Sequence, residues 1–429
     1  MTQTLRDICW CGNTELTEFS PDYLSCSQCG TLVSKTGLMT EQLRIKDDNH
    51  DFYGKEYWLS YQTENYGFPD IRQRARQDLP ERCLYWLQKL MTYKLPPGKV
   101  LELGCAHGGF VAMMGWAGFE AMGLELSPWV VEFARQTFKM PIFLGPLEDQ
   151  QLEPESFDAI VLYDVMEHLP DPVATMSYGA SLLKEDGIFI VQMPNYEEGK
   201  TYSEMVAQKD HFLDQMKSIE HIHLLSRRGA SQFFKNLGFE FLQFEQQLFK
   251  YDMFFVASRQ PLVAYTDEQI SDSLLKSPSG RIVQALLDKS SEFNQLQVQH
   301  ENIQVQYQTS ETSRAELLNI IEQQGQEITS LCPEVSATVT DDLQHPQSQL
   351  NQSNLDLQHT QSQLTQSQKQ IQHFQKNQLQ QIQNQLNETE AKLKVMNVEI
   401  AAMKTSKFWK LRTLWFKFKR FVGIPTDNE

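Results

Sequence analysis

No run of about 18 or more apolar residues occurs in this 429-residue sequence, so no helix is expected to span a membrane. The opening residues, MTQTLRDICW, lack a charged stretch followed by an apolar one. A secretory signal is therefore not expected, and a cytoplasmic location is. Positive charge is in short supply: 38 Lys and Arg against 55 Asp and Glu leave a formal charge of −17. A chain this acidic makes a poor general nucleic-acid binder, because that binding depends on neutralising phosphates. Cysteine is also sparse, seven in all, and its placement suggests a small metal site in a reduced cytoplasm in preference to a disulfide framework. Cys83, Cys105 and Cys332 are scattered, whereas Cys9, Cys11, Cys26 and Cys29 cluster near the start.

What is present is unevenly distributed. The apolar share is 41%, yet the second half is dominated by Gln and Ser. Five segments follow from the pattern. Residues 1–40 carry the four clustered cysteines. Residues 41–96 are aromatic and Arg-rich, read as mostly helical, and close at Pro96-Pro97-Gly98. Over 97–260 short apolar runs alternate with helical patterns. KVLELG, EAMGLEL, FDAIVLYD and GIFIVQMP read as strands. A helix is expected from Asp171-Pro172 through LLKEDG, and another over SRRGASQFFKNLG. FEFLQFEQ and YDMFFVAS should pair as an antiparallel hairpin. Such alternation predicts an α/β fold with parallel strands and crossover helices.

The fourth segment, 280–403, shows apolar residues at seven-residue spacing. Leu286, Phe293, Tyr307, Ile321 and Ile328 share one position, and Leu296, Ile303, Leu317 and Leu331 another. After Pro333 a fourteen-residue repeat begins, with Leu343, Leu350, Leu357, Leu364 and Ile371 on one seam. Leu386, Leu393 and Ile400 follow after a phase slip. Sustained heptads predict a coiled coil, and through it a homo-oligomer. The polar residues at other seam positions leave a Gln-rich linker as the alternative. The last segment, 404–429, has seven basic residues and no acidic one between Lys404 and Arg420. Phe408, Leu411, Trp415, Phe418 and Val422 fall on one helical face. A helix of that kind can lie on an anionic membrane surface, dock on a partner protein or cap the coiled coil.

The chemistry concentrates in KVLELGCAHGGF, residues 99–110. A strand ends at Glu102-Leu103-Gly104, a short turn follows, and a helix begins after Gly108. The spacing is not the Gly-x-Gly-x-x-Gly of dinucleotide sites. It resembles the S-adenosylmethionine (SAM)-binding motif of class I SAM-dependent methyltransferases, with Ala106 where that family usually has its middle glycine. Further motifs follow in the family's order. Glu125 ends the second strand, GPLEDQQL occupies 145–152, FDAIVLYDVMEHLPDP 157–172, LLKEDGIFIVQMPN 182–195 and EHIHLLSRRGASQFFKNLGF 220–239. The resemblance implies a Rossmann-like sheet with SAM as cofactor. It places Glu102 near the methionine end of SAM, Gly104, Ala106 and Gly108 under the ligand, and Glu125 on the ribose hydroxyls. Leu147 and Glu148 would cover the adenine, and Asp164 would contact the methionine amine.

Such an enzyme aligns an acceptor with the S–CH₃ bond, and a hydroxyl acceptor needs a base. His168, His221 and His223 are the candidates, since histidine has the right pKa. His168 follows a strand and should reach the sheet's carboxyl edge. Alternatively, Glu167 and His168 shape the turn, and His221 and His223 are structural. Cys9-x-Cys11 and Cys26-x-x-Cys29 suit a closed tetrahedral structural zinc, with free thiols as the alternative. The sequence is similar to bacterial sugar-modifying methyltransferases that begin with a zinc knuckle. Its overall plan resembles chain-terminating methyltransferases of surface polysaccharides, which use a coiled coil as a spacer. That implies O-methylation of a sugar in an envelope glycan or its precursor. It also implies a glycosyltransferase or polymerase partner and peripheral contact with the inner face of the cytoplasmic membrane. The rivals are methylation at a sugar carbon, methylation of a small molecule such as a quinone, and a non-catalytic scaffold for glycan synthesis.

Overall fold

A computed structural model describes residues 6–331 and 348–363, with isolated positions up to 376. The heptad positions Leu343, Leu364, Ile371, Leu386, Leu393 and Ile400, and the basic tail 404–429, lie outside the described residues. So do the side chains of Leu317, Ile321, Ile328 and Leu331. The chain divides into two compact units, Met1–Ser290 and Ser291–Glu429.

The first unit is built on two sheets. Strands β1 (Leu16–Glu18), β2 (Tyr23–Cys26) and β3 (Leu32–Ser34) form a small antiparallel meander around the clustered cysteines. Helical turns begin at Tyr57 and continue into α1 (Gln62–Tyr66), α2 (Ile71–Gln77) and α3 (Leu84–Tyr93). Then come β4 (Lys99–Leu103), α4 (Gly109–Ala117), β5 (Glu120–Glu125), α5 (Pro128–Phe138), β6 (Ile142–Leu144) and β7 (Phe157–Tyr163). They are followed by α6 (Pro172–Leu182), β8 (Leu183–Pro194), α7 (Tyr202–Gln208), β9 (His223–Leu224), α8 (Arg227–Asn236), β10 (Phe241–Glu245) and β11 (Asp252–Ser258).

The large sheet has the order β10-β11-β8-β7-β4-β5-β6. Only β11 runs against its neighbours, with Phe241 opposite Ser258 on one side and Asp252 opposite Pro194 on the other. The expected final hairpin is therefore present and closes one edge. The strands read as near-continuous apolar runs because helices cover both faces. Val100, Val161, Ile190 and Val256 point to α3 and α4. Leu101, Leu162, Phe189 and Phe255 point to α6 and α8. Local chemistry sets the helix starts. Ser127 accepts the Val130 N–H ahead of Pro128, Asp171 accepts the Ala174 N–H ahead of Pro172, and Ser226 accepts the Gly229 N–H.

The helix expected through LLKEDG is shorter than the sequence indicated. It ends at Leu182, and Leu183 already pairs with Phe157 across a bulge. Burial of Leu183 and the Lys184 Nζ–Asp158 Oδ2 ion pair of 2.9 Å draw that stretch into the sheet. The small meander also gains a fourth strand. β9 pairs with β3, Leu32 opposite Leu224 and Val33 opposite His223, which ties the cysteine module into the same unit as the large sheet.

After β11, α9 (Asp267–Leu274) and the first turns of α10 (Pro278–Leu331) return to the α3–α4 face, where Ile270, Leu274 and Val283 are buried. In the second unit, residues 348–363 are helical and Leu350 and Leu357, one heptad apart, are buried. Arg314 Nε donates to Asn354 Oδ1 at 2.8 Å, so this helix lies against the second-unit part of α10. Among the described residues no helix is long and apolar enough to cross a membrane.

The order of the large sheet reverses between β4 and β7: the chain builds outward through β5 and β6, then returns to β7 on the other side. The crevice beyond the carboxyl ends of those strands is where ligands bind in such sheets. Gly104 opens it at φ +65°, and a Cβ there would stand 2.6 Å from Val165 Cγ2. Gly104→Ala is expected to cost about 2–4 kcal/mol, from the left-handed backbone and from overpacking. Adding Val165→Ala should make the pair less damaging than the sum of its parts by about 1 kcal/mol or more in urea unfolding. Strict additivity would contradict the contact.

Candidate active site and cysteine cluster

The crevice is a cavity of about 230 Å³. Its floor is the turn after β4. Ala106 adopts φ +45°, and its N–H donates to Glu125 Oε2 at 3.0 Å. Glu125 Oε1 accepts the Leu126 and Ser127 N–H groups at 2.8 and 3.2 Å. Three backbone donors thus fix the Glu125 carboxylate at the end of β5. One lone pair on Oε2 remains for a further donor. Burial pushes the Glu125 pKa up, against those three bonds. Glu102 is more extreme. Its Oε2 has no partner, and burial followed by the nearby Glu125 charge raises its pKa well above the carboxylate range.

The wall on the β7 side brings Asp164, Glu167 and His168 together. Asp164 adopts φ +57°, and its Oδ1 accepts from Gln192 Nε2 at 3.1 Å. Glu167 is 1% exposed, with Oε2 unpaired, and burial and then Asp164 raise its pKa. Asp252 at the start of β11 is pushed up to about 9 by burial and Asp164. His168 is pressed down to about 3 by burial and the Lys217 charge, so its imidazole is neutral. Its Nδ1 meets the Tyr53 hydroxyl at 2.9 Å. His221, also lowered by burial, stands edge-on to His168 with ring centroids 4.7 Å apart. Its Nδ1 donates to the Gln215 carbonyl at 2.7 Å, which leaves the lone pair on Nε2.

Of the residues expected at the site, Glu102, Gly104, Ala106, Glu125, Asp164, His168 and His221 line this cavity. Gly108, at φ +76°, starts α4 instead, with the Ala134 methyl close behind it. Leu147 and Glu148 stand away from the lining. Leu147 is 3% exposed in the core under α6, and the Glu148 carboxylate accepts the Thr175 hydroxyl. His223 is likewise apart from His221. It sits in β9, and its Nδ1 contacts the Leu169 carbonyl at 3.2 Å.

Several lining groups escaped the sequence reading. Tyr53, Tyr57, Trp58 and Tyr66 form an aromatic wall, and Glu220 accepts the hydroxyls of Tyr57 (2.7 Å) and Tyr66. The crowding of aromatics over 52–68 was the available signal. Near the turn, His107 takes the Gly109 N–H on Nδ1 at 3.0 Å and approaches Asp78 Oδ2 at 3.1 Å through Nε2. Burial works to raise the Asp78 pKa, yet the His107 bond and the charges of Arg74 and Arg82 hold it low. In total six carboxylates (Asp78, Glu102, Glu125, Asp164, Glu167, Glu220) and three cations (Arg74, Arg82, Lys217) line the cavity, a formal charge of −3.

The second cluster is the cysteine set. Sγ of Cys9 lies 3.5 Å from that of Cys29, and Sγ of Cys11 3.6 Å from that of Cys26. All four sulfurs fall within 4.8 Å of one another. Bonds of about 2.3 Å in a tetrahedron would set sulfurs about 3.8 Å apart, so the spacing fits one zinc ion with little movement.

Residues 74–243 match a family described as a methyltransferase domain. A ubiquinone biosynthesis O-methyltransferase of Xanthomonas campestris pv. campestris is 33% identical over 107 residues, 24% of this chain and 45% of that protein. The Xylella fastidiosa protein of the same name is 30% identical over 107 residues, 24% of this chain and 44% of its own. The matched stretch therefore spans less than half of these relatives. Among solved structures, magnesium protoporphyrin IX methyltransferase from Synechocystis with bound S-adenosylhomocysteine is 18% identical, with TM-score 0.34, covering 48% of this chain and 97% of that one. A SAM-dependent methyltransferase from Thermotoga maritima is 19% identical, with TM-score 0.34, covering 47% and 99%. The family match falls on most of the sheet, the glycine turn and the acidic crevice just described, and identifies residues 74–243 as a methyltransferase domain.

Proposed function

We propose that the chain transfers a methyl group from SAM to a sugar hydroxyl in a bacterial envelope glycan or its precursor. The observation that carries O-methylation is the pair of neutral imidazoles, His168 and His221, beside the aromatic wall of the cavity that opens at β4 and β7. SAM supplies a methyl on a positively charged sulfur, already activated for transfer. The protein's part is to orient the acceptor, exclude water and free the hydroxyl oxygen from its proton. In the balanced step the acceptor O–H and the S–CH₃ bond break, a C–O bond forms, and S-adenosylhomocysteine and a proton leave.

The cofactor's end of the cavity is the acidic one. Glu125 Oε2 keeps a lone pair for a ribose hydroxyl. The unpaired Glu102 oxygen and Asp164 suit the cationic methionine end. Tyr53, Tyr57, Trp58 and Tyr66 offer aromatic surface for the apolar side of a sugar ring. The zinc knuckle–methyltransferase–heptad plan supports a glycan acceptor held near a polymerase, with the tail as a contact to membrane or partner. A phenolic acceptor is the second reading, favoured by the ubiquinone-pathway names of the two bacterial relatives. The four thiolates would hold a structural zinc that braces β3, and through β3 the β9 segment next to His221.

Three outcomes follow. Incubation with methyl-labelled SAM and separated cell fractions should label lipid-linked glycans or nucleotide sugars. Label confined to quinones would move the assignment to the phenolic reading, and no transfer with intact SAM binding would favour a scaffold. SAM affinity should fall as the pH falls, because a raised Glu102 pKa means acid refills the carboxyl that the cationic ligand needs ionised. Glu102→Gln should weaken binding about tenfold or more and flatten the profile in calorimetric titrations, an effect of about 1.4 kcal/mol or above. The purified protein should release one zinc per chain to a chelator after thiol modification. Cys26→Ser should lose the zinc and lower the melting temperature. Full zinc retention in that variant would remove Cys26 from the ligand set.

A further inference from the structure

Two histidines and a glutamate meet at the acceptor side of the cavity in an arrangement that a proton-transfer role does not exhaust. One candidate ligand atom from each of Glu167, His168 and His221 lies within 4.8 Å of the other two. His168 Nε2 is 3.9 Å from Glu167 Oε1. His221 Nδ1 is committed to a backbone carbonyl, and His168 Nδ1 to the Tyr53 hydroxyl. Metal-binding histidines are characteristically anchored in this way through the second nitrogen, which fixes the ring and leaves the other nitrogen as the donor. Glu167 supplies an independent sign. Its side chain is 1% exposed, lines the cavity, and has an oxygen with no partner. A buried carboxylate oxygen left open is costly unless a cation satisfies it.

We propose that Glu167, His168 and His221 bind one divalent transition-metal ion, whose open positions take two adjacent oxygens of the acceptor. A set of two imidazoles and one carboxylate with open positions suits first-row divalent ions better than Mg²⁺ or Ca²⁺, which prefer all-oxygen sites. Bonds of about 2.1 Å require the three ligand atoms to draw together, a movement of side-chain torsions. Among the described residues Lys217 is a cation whose charge reaches all three members of the triad, its Nζ 3.7 Å over the Tyr66 ring. Asp164, Glu167 and Glu220 outnumber it on the same part of the lining.

The ion's part in catalysis rests on the proposed O-methylation. It lowers the pKa of a bound hydroxyl, whose proton passes to water while the oxygen stays to accept the methyl. The preferred acceptor is then a vicinal diol or a catechol, both of which offer two neighbouring oxygens, and not an isolated hydroxyl.

The test uses the full-length, zinc-loaded protein titrated with Mn²⁺ and read by electron paramagnetic resonance, since manganese does not favour a four-thiolate site. One equivalent should bind, and electron spin-echo modulation should show coupling to imidazole ¹⁴N. Glu167→Gln and His221→Gln should each weaken binding at least tenfold. No binding, or bound Mn²⁺ without ¹⁴N coupling, overturns the site, and the coupling criterion needs no variant to fold. SAM titrated into the same sample separates the two ideas. SAM binding without the manganese signal refutes the metal site alone, whereas loss of both refutes the methyltransferase reading as well.

Discussion

Everything at this site depends on one electrostatic constraint: carboxyl groups are buried at the carboxyl edge of the sheet with fewer cations than they need. Glu102, Glu167 and Asp252 each keep an unpaired oxygen, and burial raises the pKa of all three. An apolar core would be cheaper, since buried polar groups left unpaired cost stability. The arrangement makes sense as a receptor for positive charge. The sulfonium and ammonium of SAM would meet that need on one side, and a divalent ion on the other.

The scaffold explains why the carboxyl groups converge there. Reversal of strand order between β4 and β7 opens the crevice, and each acid leaves the end of a different strand: Glu102 from β4, Glu125 from β5, Asp164 just past β7. Positive φ angles at Gly104, Ala106 and Asp164 turn the backbone sharply enough to aim these groups inward. Gly104 is also required by its own left-handed backbone and by the protein's packing against Val165. The sequence reading had assigned that glycine to the ligand's close approach. The cysteine module contributes from outside the sheet, because pairing of β3 with β9 steadies the segment that carries His221.

Much of this was legible because it rests on local chemistry. Alternating apolar runs marked β4, β5, β7 and β8, and the acid-x-Gly turn pointed to Glu102 and Glu125, whereas β6, three residues long, was not read from the sequence. The end of α6 was misjudged because LLKEDG has good helix formers, and only its pairing with β7 decides otherwise. β9 is two residues long, too short to carry a pattern, so the separation of His221 from His223 could not be read from their spacing. Leu147 and Glu148 followed from the resemblance alone, while here the core and Thr175 hold them. Tyr53 is distant in sequence from Lys217 and Glu220, and only the folded chain sets them around one cavity.

The central claim is that the buried carboxyls, whose pKa values are raised, serve to receive a cation, and infrared difference spectroscopy tests it most directly. Addition of SAM to the free protein should remove carbonyl-stretch bands of protonated carboxyls, replace them with carboxylate bands, and release protons to the buffer. In Glu102→Gln at least one of those bands should be missing from the start. Tight SAM binding with no change in the protonated-carboxyl region would contradict the account, since the acids would then be serving structure and not the ligand.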